Sequence, residues 1–80
     1  MKIPSIKKLV ESCSNAQLMA AEIAILDEQT PAIEVEGADE GEQLTHVLAA
    51  IWIKHQMETD NLEFTAALRA YTSRVRTSIS

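Results

Sequence analysis

The sequence predicts an all-α protein: a small bundle of three to four helices, with a short extended segment at 32–36. Three observations carry that reading. Apolar residues recur at spacings of three and four in four separate stretches, the period of a helix face. Three of these stretches open on a capping signal, an Asp or Ser followed three residues later by Glu or Gln. Only Ala32 to Glu36 shows the alternation of a strand.

The first helix is expected over Pro4 to Ser12, since proline suits a first turn and Ile6, Leu9, Val10 and Cys13 recur at helical spacing. Ser14-Asn15-Ala16-Gln17 then forms a capping box, which starts a second helix running from about Asn15 to Glu28. Met19, Ile23 and Leu26 lie on one side of it, with Leu18 and Ile25 beside them. Thr30-Pro31 closes this stretch, because proline cannot continue a helical ladder. Ala-Ile-Glu-Val-Glu, residues 32–36, then reads as a short strand. A lone strand needs a partner, either Met1 to Ile3 or the same segment of a second chain. An irregular extended loop is an equal alternative.

Gly37 to Gly41 makes a turn, and Asp39-Glu40-Gly41-Glu42 starts a third helix near Glu40 that ends near Glu58. On it, Leu44, Val47, Leu48, Ile51 and His55 share one face. Ala50, Ile53 and Met57 lie opposite, Ala49 lies at their edge, and Trp52 lies between the two faces. From Val47 to Ile53 this helix is apolar all round, which marks it as buried on most sides. Asp60-Asn61-Leu62-Glu63 signals a fourth helix, from about Asn61 to Arg76, with Phe64, Leu68, Tyr71 and Val75 as its stripe.

The chain is one domain, 1–80, with no internal repeat and no linker. Its 80 residues are 46% apolar, so it is neither disordered nor low-complexity, and it is too short for a Rossmann enzyme, a kinase or a TIM barrel. Of the 37 apolar residues 11 are alanine, which leaves a small core that an oligomer would help to complete. A homodimer is therefore expected, with Trp52, Ile53, Ala50 and Met57 as interface residues; the competing expectation is a monomer in which helices one, two and four wrap around helix three.

The net charge of −5 disfavours a nucleic-acid binder. Lys2, Lys7 and Lys8 open the chain, and Arg69, Arg74 and Arg76 close it. The seven acids of Asp27 to Glu42 have no base among them. The expected use of the basic ends is to pack beside this acidic centre. A rival use of the arginines is to meet an anionic partner.

The single cysteine, Cys13, excludes an internal disulfide and suits a reducing compartment, where it would pack as a small hydrophobe. The longest apolar run, Val47 to Ile53, is too short to span a membrane, and the start has no run of signal-peptide type. The expectation is a soluble, cytoplasmic protein without membrane contact.

Chemistry has few candidates. Glu42 and His46, at i and i+4, could ligate a divalent metal, with Glu34, Glu36, Asp39 and Glu40 nearby. The two histidines of one chain stand about half a helical turn apart in azimuth and cannot converge. The loop also lacks the EF-hand pattern. The competing expectation bonds His46 to Glu42 at a solvated acidic loop. His55 falls on the core face and reads as a satisfied, half-buried residue. Glu34 and Glu36 would need a cleft to act as an acid–base pair. No nucleophile with its base and no phosphate loop is visible, so an enzyme is not expected and no cofactor is implied.

The stretch E-V-E-G-A-D-E-G-E-Q-L-T-H-V-L-A-A-I-W-I, Glu34 to Ile53, resembles a family of small uncharacterised bacterial proteins, as do the opening M-K-I-P and the closing R-V-R-T-S-I-S. The resemblance covers most of the chain and implies a stand-alone bacterial protein. It brings no activity and no site residues. The expected role is protein–protein contact with an unknown partner and with itself. The alternatives are a metal- or ligand-binding protein using the Glu42/His46 region and a nucleic-acid regulator using the arginine end.

Overall fold

A computed structural model describes the backbone of residues 2–79 and the side chains of residues 2–75. Four helices account for most of it: α1 (Ile3–Ser12), α2 (Asn15–Leu26), α3 (Glu40–Thr59) and α4 (Phe64–Ile79). No strand occurs among the described residues. The all-α expectation holds.

Helix α3 stands in the middle and packs against each of the other three, while the outer helices scarcely touch one another. The Lys2 N–H meets His46, and the Val10 carbonyl accepts from Lys54 Nζ at 3.2 Å, a constant offset of 44 residues, so α1 runs parallel to α3. Asn15, opening α2, bonds Glu58 near the end of α3, so α2 runs antiparallel to it. Helix α4 is antiparallel as well, with Tyr71 returning to Trp52.

The core forms where these helices meet α3. Helix α1 supplies Ile6, Leu9 and Val10, as its spacing predicts, and Cys13 is half-buried against them. Helix α2 supplies Leu18, Ala21 and Ile25. Met19, Ile23 and Leu26 therefore point outward as an exposed stripe. Helix α3 buries His46, Val47, Ala49, Ala50 and Ile53. That is neither expected face as drawn: Leu48 and His55 are exposed, and the buried face is centred on Ala50 and Ile53. Periodicity could not choose, because the helix is apolar on every side. Helix α4 contributes Ala67, with Phe64, Leu68 and Tyr71 half-buried beside it.

The helix ends follow their chemistry with two corrections. The Ser14 capping box forms: the Gln17 N–H donates to Ser14 Oγ at 3.2 Å, and the Ser14 N–H to Gln17 Oε1 at 2.8 Å. Helix α2 stops before Thr30-Pro31, however. The Gln29 N–H donates to the Ala24 carbonyl and the Glu28 N–H to that of Ile25, with Glu28 at φ 60°. This is a Schellman ending with a glutamate where glycine is usual. The second correction concerns the signal at Asp60. Asp60 closes α3, its N–H bonding the Gln56 carbonyl, and Asn61 turns the chain at φ 53°. Helix α4 begins three residues later than expected, at Phe64.

Residues 32–36 form no strand, and Met1, one proposed strand partner, lies outside the described residues. The alternation is nevertheless real. Ile33 and Val35 are half-buried against the core, while Ala32, Glu34 and Glu36 face outward. The segment is an irregular strap laid over the bundle. A side-chain ring, rather than a strand ladder, holds its backbone.

Candidate functional site

That ring is His46. It is 0% exposed, and both its nitrogens are engaged by backbone. Nδ1 lies 2.7 Å from the Glu36 carbonyl, and Nε2 accepts from the Lys2 N–H at 2.9 Å. A carbonyl can only accept and an N–H can only donate. These partners therefore assign the neutral tautomer with its proton on Nδ1. The ring ties the start of α1, the strap and α3 together.

This geometry corrects the sequence-based placement of the Glu42/His46 pair. Neither ring nitrogen has a lone pair left for a metal. Glu42 is occupied at the start of α3: its N–H donates to Asp39 Oδ1 at 2.8 Å, and its carboxylate accepts from the Ala38 N–H at 3.3 Å. The expected bond between His46 and Glu42 is thus replaced by two separate sets of backbone contacts. Among the described residues, no group of three or more His, Cys, Asp or Glu side chains is placed to hold a metal ion.

Glu34 and Glu36 are both exposed. The Ser5 hydroxyl donates to Glu36 Oε2 at 3.0 Å, and Lys8 Nζ lies 3.5 Å from Oε1. The Ser5 bond first, and the Lys8 charge after it, hold the Glu36 carboxyl below its ordinary range. That is the opposite of the shift a general acid needs. Here the basic start of the chain does pack beside the acidic centre.

Among the four residues expected at an interface, Ala50 and Ile53 have no exposed surface within the single chain. They are core and cannot reach a second copy. Met57 is half-buried against the core. Trp52 is different. It lines an open groove of about 540 Å³ between α2 and α4, whose floor is α3. Met19 forms one wall, Leu48 and Ile51 share the floor with Trp52, and Tyr71 and Val75 form the other wall. The Trp52 and Tyr71 rings are tilted at 51° with centroids 5.7 Å apart, and the Arg74 guanidinium lies 5.7 Å from the Trp52 centroid. His55 stands exposed at the rim, not half-buried on the core face as expected. Asn15 lines the same groove; its Nδ2 donates to Glu58 at 3.3 Å, while its buried Oδ1 has no hydrogen-bond partner. The Arg76 side chain lies outside the described residues, so the arginine cluster is seen only through Arg69 and Arg74.

The outward stripe of α2 extends this apolar surface beyond the groove. Its exposure was missed from sequence, although a signal was present. In the twelve residues of α2, Glu22 is the single charge. A helix so apolar has no natural outer face.

The fold and this surface define a small all-α bundle with a buried histidine staple and an uncovered apolar face. The chain belongs to the family of unknown function DUF6952, which it matches over residues 1–80. No curated protein and no solved structure matches it. Among the described residues, no helix is long and apolar enough to cross a membrane.

Proposed function

We propose that the protein works through protein–protein contact rather than catalysis, and that it associates with itself. The observation that carries this reading is the apolar face formed by the Trp52 groove and the exposed residues Met19, Ile23, Leu26 and Leu48 beside it. Contiguous exposed apolar surface of this kind marks interaction sites. An aromatic anchor at its centre, flanked by an arginine, has the composition of an interface hot spot. A free thiol at Cys13 suits a reducing compartment such as the bacterial cytoplasm.

Sedimentation velocity of the wild type and of Leu48→Glu tests the reading. Leu48 is exposed in the single chain, so the variant keeps its helical circular dichroism. The wild type is expected to sediment at twice the 8.8 kDa chain mass and the variant at the chain mass. A wild type that stays at the chain mass at every concentration overturns self-association.

A further inference from the structure

We infer that the groove is filled by helix α2 of a second copy, reciprocally, so that the two α2 helices cross at the two-fold axis with Ile23 close to it. This rests on the self-association reading and specifies it.

The ridge and the groove lie on the same side of one molecule. Met19 forms a groove wall, and Ile23 and Leu26 continue from it at spacings of four and three along the outer face of α2. A ridge cannot enter a groove of which it is itself one wall. It can enter the groove of another copy while that copy's ridge enters its own. That is the self-complementary arrangement a two-fold dimer requires. Helix α4, the other wall, makes few contacts with α2, so the gap above the α3 floor is open to receive a helix.

Charge favours the same occupant. The described groove lining contains no carboxylate, although the chain has twelve acids against seven bases. Its charged member is Arg74, and His55 stands at its rim. The ridge carries Glu22 beside Ile23 and ends at Asp27 and Glu28. An acid-flanked apolar ridge thus meets an apolar groove with a guanidinium at its edge and one carboxylate, Glu58, held by Asn15 at its end.

The area is adequate as well. Met19, Ile23, Leu26, Leu48 and Val75 are 36–61% exposed and leave roughly 450 Å² of apolar surface uncovered, at the size where such patches are functional. The partly exposed Ile51, Trp52 and Tyr71 and the polar rim around them add to this face, against the ~800 Å² each partner contributes to a stable dimer. Within one chain α2 is covered on a single side. A second copy covers the other.

The test uses Ile23→Cys in a Cys13→Ala background with a short bismaleimide, which links two thiols only across a small gap. Lys7→Cys, exposed on α1 and away from the groove, is the control. The expected result is a covalent dimer from Ile23→Cys and none from Lys7→Cys. Ile23→Glu, at a position exposed in the single chain, is expected to sediment at the chain mass with unchanged helicity. A protein that dimerises but shows no Ile23 link, and stays dimeric as Ile23→Glu, overturns the α2 arrangement and leaves self-association standing. A wild type that is monomeric throughout overturns both.

Discussion

His46 does at one point what a strand pair would do along a length. It gives the Glu36 carbonyl a donor and the Lys2 N–H an acceptor, and so ties two partly buried backbone groups to the core. Replacing it with alanine removes both bonds and opens a cavity where the fully buried ring stood. His46→Ala is expected to lower stability by about 2–4 kcal/mol in urea unfolding, a large share of what a small domain has. A methyl group offers neither donor nor acceptor, so no tautomer can rescue the contact. Glu28 predicts the opposite sign. It sits at φ 60°, where a Cβ is unfavourable and glycine is not. Glu28→Gly is expected to raise stability by about 0.5–1 kcal/mol after the added freedom of the unfolded chain is counted. Asn61, at φ 53°, should gain less, because asparagine tolerates this region. Glu36 links the strap to pH. Its carboxyl is lowered in the folded state, so the folded protein holds the ionised form more tightly than the unfolded chain does. Its contribution is complete above the ordinary carboxylate range near pH 4 and is lost as pH falls through the folded value. Thermal melts of wild type and Glu36→Gln between pH 3 and pH 7 should therefore converge at the acid end, with the wild type more stable at neutral pH.

Legibility differed from element to element, for physical reasons. Helix α1 could be read down to its buried residues because lysines occupy its outer face, so the stripe of Ile6, Leu9 and Val10 has a contrast. Helices α2 and α3 could be located from their caps, yet their inner faces could not be chosen, because apolar residues surround both. Only packing against α3 decides that Leu18 turns in and Met19 turns out. The strap between them shows the reverse. Its alternation of Ile33 and Val35 with Glu34 and Glu36 left a strand and an irregular loop open, and the loop formed, since alternation reports which side faces the core and not what holds the backbone. The Asp60 signal failed because one residue can serve the end of a helix as well as the start of the next. Of the four residues expected at an interface, only Trp52 lines the apolar groove. Ala50 and Ile53 are drawn into the core by helices that sequence spacing could not orient. At the end of the strap the approach is tight: a Cβ on Gly37 would stand 2.8 Å from the Gln43 backbone nitrogen. Gly37→Ala is expected to cost about 1–3 kcal/mol in denaturant unfolding, by pushing the strap off the start of α3.

At the scale of the whole molecule, one helix carries the rest. Helix α3 touches α1, α2 and α4, and these three have little to do with one another. This leaves an open groove between α2 and α4. The same arrangement has a consequence for the order in which structure can appear. During synthesis the chain emerges from its start, so α1 and α2, of ten and twelve residues, are exposed before α3 exists. Helices of that length are marginal in water, and these two offer each other almost no surface. The first 39 residues are therefore expected to be mostly coil, which the far-ultraviolet circular dichroism of that peptide would show. Order should arrive in one step once α3 is available for α1 and α2 to pack against.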